Sequence, residues 1–510
     1  MSASPYQNRV RQALASGRFV LTVEVTLPSA HASSEDALRP ILTLAREVRG
    51  DPRIDGLAFT DRSHSDHDYD PITSAARAAD VCGTMPIVHW AGKDRTLSHL
   101  EADLDRAARA GLDTFLLVTG DKLRHPPVDR PVRYLDSVTA IHAARQRFAE
   151  LLLAGAVCPF KYCEEDLLGQ YFKAAKKLRA GGNFLMTQIG WDSPKFAEVA
   201  WFLNRRGYRA PLVAELLFLT AARGRRIRRT GLPGVTVTDQ LVARLEEEAE
   251  SPDGGRAAAY RRLALQVGLV RDLGYAGVQV SGLVRYDSIV RLFDEMDTVM
   301  RVYPTSDARR EAAERMLTLR DGRTAEVAPA NGFYLDAEAP ANREQGTGTG
   351  EHQQVRWEWT RYRALDLTDR VLFREGSIGA RILGPVVRRI DPDSTAGRAL
   401  VVAERAIKAP LVGCQTCGFC RLPQTAYVCP ETCPKGLANG PCGGTTNNRC
   451  EFGDRECIHN EIYRISKRAG MLPRLEDMLI PPVPVQAWGT CSWITEFRGA
   501  GPRTTRLKRQ

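Results

Sequence analysis

The 510-residue chain is long enough for a large catalytic domain and a further unit, and its 43% hydrophobic and 26% charged content excludes a disordered or fibrous polymer. No apolar run reaches the length of a membrane span, and MSASPYQNRVRQALASGRF has no apolar secretory core, so a cytoplasmic protein with no membrane partner is expected. The net charge of +10 is mostly scattered arginine; only ARGRRIRRTG (221–230) and the tail TTRLKRQ cluster, neither beside a nucleic-acid motif, so no nucleic-acid partner is expected.

In chain order, eight short apolar runs alternate with longer stretches of helical periodicity. The runs are FVLTVEVTL (19–27), GLAFTD (56–61), PIVHW (86–90), TFLLVTGD (114–121), AGAVCP (154–159), FLMTQIGW (184–191), PLVAELLFL (211–219) and GVQVSGL (277–283). Between them lie segments such as LSHLEADLDRAARAGL and EEDLLGQYFKAAKKLRAGG, which end at glycine, a common helix stop. Strands alternating with helices imply parallel pairing through right-handed crossovers. Eight such units, with no glycine-rich dinucleotide fingerprint after the first, predict an α/β fold of the (β/α)8 TIM-barrel type over residues 1–320. A connection is expected over 321–354, where DAEAPANREQGTGTGEHQQ is polar, glycine-rich and aperiodic. A C-terminal cysteine-rich metal-binding domain is expected over 355–510, with the last dozen residues disordered.

A barrel carries its chemistry at the C-terminal ends of its strands. The polar residues there are Glu24, Thr60, Asp61, His89, Thr119, Asp121, Lys161 and Gln188. Each alone reads as readily as a satisfied core or rim group. Glu24 is the oddest, because a carboxylate inside an apolar strand is costly without a partner or a task. Their convergence on one rim predicts a shared cavity.

Nine of the twelve cysteines fall between Cys414 and Cys491, while Cys82, Cys158 and Cys163 are scattered earlier. In a reducing compartment, clustered thiols predict metal ligands rather than disulfides. The candidates are Cys414, Cys417, Cys420, Cys429, Cys433, Cys442, Cys450 and Cys457, with His459 nearby, enough for two four-coordinate sites. Cys414, Cys417 and Cys420 have the iron–sulfur spacing, and Cys429 and Cys433 precede prolines. Cysteine pairs also suit zinc, so spacing leaves the metal open. Cys491 is isolated and reads as a packed thiol.

The first three hundred residues resemble the methylenetetrahydrofolate reductase family of flavin-containing barrels. The resemblance rests on VEVTLP in the first strand, AFTD in the second, PIVHW in the third, LLVTGDK in the fourth and FLMTQIGWD in the sixth. It implies an oxidoreductase of one-carbon metabolism and methionine biosynthesis, reducing 5,10-methylenetetrahydrofolate to 5-methyltetrahydrofolate or running the reverse. Glu24 would then be the acid that opens the folate ring, Asp121 the anion stabilising the cation that forms, and Gln188 a pterin contact. Thr60, His89, Thr119, Gly120, Asp121 and Lys177 would hold the flavin; Lys177 also reads as a solvated helix lysine. Cys158, Pro159, Phe160, Lys161 and Tyr162 stand where the family has a Tyr-Pro-Glu-x-His motif, which leaves FAD or FMN, and the nicotinamide contacts, open. The basic ARGRRIRR is expected either to meet an anionic part of the cofactor or folate, or to be a solvated loop.

The run CQTCGFC…VCPETCPKGLANGPCGG…CEF resembles the cysteine-rich C-terminal module found fused to, or partnered with, such reductases. The resemblance implies either iron–sulfur electron transfer or structural zinc. The electron donor would be NAD(P)H or a redox protein, and homo-oligomerisation stays open. Two other functions fit the same residues: a folate-dependent methyltransferase or demethylase partner without hydride transfer, and a non-catalytic, metal-bound folate-binding scaffold.

Overall fold

The computed structural model describes residues 4–30, 34–63, 65–129, 132–330, 332–335 and 352–509. Each predicted apolar run overlaps a strand: β1 (Val20–Val25), β2 (Gly56–Phe59), β3 (Ile87–Ala91), β4 (Thr114–Val118), β5 (Leu152–Val157), which starts two residues ahead of its run, β6 (Phe184–Thr187), β7 (Leu212–Leu217) and β8 (Gly277–Ser281). All pair in parallel with their sequence neighbours, and β8 closes on β1 with Thr22 opposite Gln279. The fold is the expected (β/α)8 barrel.

Two apolar layers build it. Between strands and outer helices lies one large core that includes Val23, Phe59, Trp90, Phe115, Phe196 and Tyr260. Inside the barrel, Val20, Ala58, Ile87, Leu116, Leu152, Phe184 and Val213 form a second, smaller core. The helix Arg9–Ser16 plugs the floor by inserting Val10 and Ala13 into it. Asn8 starts that helix by accepting from Arg11 N at 2.9 Å, and its own amide donates to Asp113 at 2.7 Å, which fixes the plug to the barrel. Higher up the interior the side chains turn polar: Thr22 and Glu24 on β1, Glu215 on β7, and Gln279 and Ser281 on β8.

The connection expected over 321–354 is tied to the barrel at its start, where Glu326 N donates to Gln240 at 2.9 Å. Residues 332–335 lie against the barrel: Phe333 N donates to Tyr162 O at 2.9 Å, Lys195 Nζ to Phe333 O at 2.7 Å, and the Tyr334 hydroxyl to Asp192 at 2.6 Å. Most of DAEAPANREQGTGTGEHQQ lies outside the described residues. The last dozen residues, expected to be disordered, instead include Thr505–Arg506, paired antiparallel with Met478–Leu479, and Leu507, packed in the large core. An apolar residue with a burial site to fill outweighs the basic character of the tail.

Helices His352–Leu372, Ile378–Val387 and Thr395–Val412 lead into the cysteine segment. That segment has only two short helical turns, Leu422–Gln424 and Pro430–Thr432, before helix Ile458–Arg468. Among the described residues no helix is long and apolar enough to cross a membrane.

The module sits over the C-terminal mouth of the barrel, seated on helix Glu164–Arg179. This helix has acids in its first turn and bases in its last, as the helix dipole favours. Its polar side is not solvated, because Asp166, Gln170, Lys173, Lys176 and Lys177 are all buried. Asp166 accepts from Asn448 N at 2.9 Å, Gln170 donates to Cys442 O at 2.6 Å, and Tyr463 donates to Glu164 at 2.6 Å. Farther out, Glu476 of the module accepts from Arg179 at 2.9 Å and Arg206 at 2.8 Å.

Candidate functional site

A cavity of about 290 Å³ opens at the C-terminal ends of the strands, walled by the barrel on one side and by Lys435, Cys442, Gly443, Gly444 and Glu451 of the module on the other. Glu24, Thr60, His89, Thr119, Gly120, Asp121, Lys177 and Gln188 all line it. The barrel residues singled out from the sequence therefore meet in one place, with the exception of Lys161.

At the inner end two carboxyls face each other. Glu24 from β1 and Glu215 from β7 are within hydrogen-bond reach, and Ser281 Oγ on β8 donates to Glu215 Oε1 at 2.9 Å. Burial, and then the charge of Glu24, push the Glu215 carboxyl well above the usual range. His89 on β3 is buried beside them, and burial lowers its pKa, so the imidazole is neutral. Its Nε2 has no hydrogen-bond partner. Asp61 is occupied by Arg95 and by Ala91 N at 2.8 Å. Thr60 accepts from Ser63 Oγ at 2.9 Å, and Thr119 from Ser137 N at 3.3 Å.

At the β4 end, Asp121 is exposed into the cavity, and the desolvation there, followed by the nearby Glu451 carboxylate, raises its pKa. Lys435 of the module reaches down to Gly120 O at 2.8 Å and pairs with Glu451. Lys161, standing in the segment that departs from the family motif, donates to Gly443 O at 2.8 Å and also to Thr445 O. It serves the seam between barrel and module, which explains a lysine at this position.

Lys177 is buried, not solvated, and burial brings its pKa down to about 7. Its ammonium reaches Ala156 O, and the β5 residue Gly155 leaves it room, since a Cβ there would stand 2.9 Å from Lys177 Cδ. Beside it, Lys173 pairs with Asp136 at 2.6 Å and donates to Gly440 O at 3.0 Å. Gln188 donates to Pro233 O at 3.1 Å and accepts from Ile189 N at 2.9 Å, so it turns toward the loop after helix Ala221–Thr230. The basic segment forms helix Ala221–Thr230 outside the cavity lining, with Arg225 and Arg228 in exposed pairs with Glu246 and Asp239.

Glu215, Lys173, Gln170, Lys435 and Glu451 line the site and were not anticipated. For Glu215 the signal was available: in PLVAELLFL it breaks an apolar strand just as Glu24 does in FVLTVEVTL. For Lys435 and Glu451 there was none, since only the docking of the module brings them here.

All twelve cysteines are free thiols. Cys414, Cys417, Cys420 and Cys429 surround one small cavity, with Lys408 Nζ 3.5 Å from Cys420 Sγ. Cys433, Cys442, Cys450 and Cys457 form a second neighbourhood, each of the other three raised in pKa partly by Cys442. Burial is the main cause throughout, and it holds Cys417 and Cys433 at about 11 and Cys429 at about 12. Among the described residues no three His, Cys, Asp or Glu side chains are arranged to hold a metal ion. Soft thiols gathered in two fours suit zinc or an iron–sulfur cluster in chemistry, and either would have to displace protons and draw the ligands in. Cys491 is buried, and His459 is held neutral by burial with its pKa near 3.

A closed parallel barrel with a polar cavity at its strand ends is an enzyme-type site, here roofed by a second unit. The family described as methylenetetrahydrofolate reductase matches residues 9–285, and that described as methylene-tetrahydrofolate reductase C terminal matches 395–486. The first match spans more than half of the chain, and this protein belongs to the methylenetetrahydrofolate reductase family.

A comparison with curated proteins finds no match. Among solved structures, an uncharacterized protein from Clostridium thermocellum that binds two copies of 5-methyl-5,6,7,8-tetrahydrofolic acid aligns over 57% of this chain and 99% of its own, at 14% identity and TM-score 0.43. A 2,3-dimethylmalate lyase aligns over 57% and 86%, at 13% identity and TM-score 0.31. Rhizobium etli pyruvate carboxylase aligns over 61% and 29%, at 15% identity and TM-score 0.35. These likenesses are too distant to carry an argument about function.

Proposed function

We propose that the protein interconverts 5,10-methylenetetrahydrofolate and 5-methyltetrahydrofolate by hydride transfer. The observation supporting this most is that Glu24, Asp121 and Gln188, from three strands of a barrel in this family, line one cavity. Glu24 holds the proton that the folate N10 takes as the five-membered ring opens. Asp121 sets a negative charge at the rim, where the resulting cation is stabilised electrostatically. Gln188 orients the pterin edge. His89, neutral, adds hydrogen bonding without competing positive charge.

The residues suit a flavin, FAD or FMN. The orphaned Nε2 of His89 is free to meet a ring edge, and the buried Lys177 ammonium lacks the anion that a phosphate would supply. Thr60, Thr119, Gly120 and Asp121 would complete the contacts. A flavin bound there would supply the hydride, replenished by NAD(P)H or a redox protein. Cys442 lines the same cavity, so a metal on the second cysteine set, zinc or iron–sulfur, would stand at its wall. The reading puts the protein in the cytoplasm.

One observation favours a second reading, folate-dependent methyl transfer without hydride. The cavity is at or below the low end of the ~300–1,000 Å³ usual for ligand pockets, room for one fused ring system rather than two stacked. The reduction reading therefore requires the module to lift when both rings bind.

Anaerobically purified protein, examined by visible spectrum and metal analysis, separates the two. A flavin spectrum is expected; a colourless preparation with full folate binding would favour methyl transfer. Glu24→Gln is expected to abolish folate reduction while leaving flavin reduction by an artificial donor. Loss of both would make Glu24 a cofactor contact.

A further inference from the structure

We propose that Glu215 is a positioning residue that shares a single proton with Glu24, so that the acid at this site is a carboxyl pair. The inference rests on the folate-reduction reading for its chemistry, but its geometry stands alone. Glu24 and Glu215 project from β1 and β7 into the same cavity, within hydrogen-bond reach of each other. Two carboxylates have no proton to place between them, so a hydrogen bond between them demands one.

The surroundings favour one proton over none or two. Ser281 donates to Glu215 Oε1 at 2.9 Å, which suits an accepting oxygen and hence a pair that keeps one negative charge. Among the described residues neither carboxyl forms an ion pair. The neighbouring His89 is kept neutral by burial, and the cations lining the cavity are engaged elsewhere: Arg62 with Asp61, Lys93 with Asp66, Lys173 with Asp136, Lys177 with Ala156 O and Lys435 with Glu451. With no cation paired to either carboxylate among the described residues, one stays protonated.

In the proposed step the pair's proton passes from Glu24 to the substrate's N10. The bond between N10 and the bridging carbon breaks, and its electron pair goes to N10. The carbon is left as the N5 iminium, and the carboxyls, now doubly negative, face that cation. Solvent returns the proton after turnover. Glu215 thus keeps Glu24 protonated before the step and adds charge stabilisation during it.

The test compares pH profiles of folate reduction with infrared titration of the intact protein. The wild type is expected to show a protonated-carboxyl band at neutral pH that disappears in Glu215→Gln. The alkaline limb of kcat/KM is expected to move down by about one pH unit or more in that variant, with activity recovering as the pH falls. A merely structural Glu215 would lower the rate equally at every pH, and that result, or a wild type without the band, overturns the proposal. A Glu215-dependent band in a protein inert toward folate would instead overturn the reduction reading while leaving the shared proton in place.

Discussion

Lys177 carries a cost the folded protein has not relieved. Its ammonium is buried near the cavity, with a pKa near 7 against an ordinary value above 10. A lysine depressed on folding penalises stability fully below about pH 7, and the penalty is relieved as the pH rises toward its unfolded value near 10. Lys177→Met is therefore expected to stabilise the ligand-free protein by about 1–3 kcal/mol at pH 7 and by less at pH 9.5, as measured by urea unfolding. The same variant is expected to weaken flavin retention on a desalting column. Equal stability at both pH values would mean that the ammonium is already satisfied. At this scale the sequence was informative wherever a polar residue broke an apolar strand, as at Glu24 and His89. It was silent on Lys177, whose helix reads as amphipathic and solvated until something covers it; only the family resemblance pointed there.

Helix Glu164–Arg179 and the loop after helix Ala221–Thr230 decide how the module seats. Gly234 in that loop has φ +75°, and a Cβ there would lie 2.5 Å from Gly443 O. Gly234→Ala is expected to push back the Gly443 peptide, weaken the hydrogen bond from Lys161 and open the cavity. Faster exchange of the amides around 440–448, followed by mass spectrometry, would report this; unchanged exchange there would mean that the loop gives way instead. The cysteine segment, with so little regular structure, is expected to depend on the metal proposed for its thiols. Chelation is expected to make residues 413–457 protease-sensitive while the barrel resists, and an unaltered digest would mean that no metal holds the segment. The eight strands were legible because period and β-branching coincide over each run. The seam was less so, because beside a few apolar residues such as Tyr463 and Leu507 it relies on lysine, glutamine and main-chain carbonyls, which look the same in a sequence whether they meet water or each other.

For the whole molecule, the linear division into barrel, connection and module hid the fact that the module forms part of the barrel's site. Composition could mark where one unit ends; it could not show that Lys435 and Glu451 return to β4. A chain cut by a protease site engineered between 336 and 351 is expected to elute as one species on gel filtration and to retain folate binding. Separation of the two pieces at micromolar concentration would mean that the seam is too weak to act as a roof without its tether.

The tether has its own consequence. Polar contacts such as those of Lys161, Gln170 and Lys435 with the module gain only modestly over their bonds with water. Held on one chain, they act at an effective concentration in the millimolar range, so a seam that repeatedly opens and reseals is sufficient. Two separate polypeptides of the same design would meet only at their cellular concentrations. They would need a broader or more apolar contact to stay paired, and that contact would slow the opening by which ligands come and go.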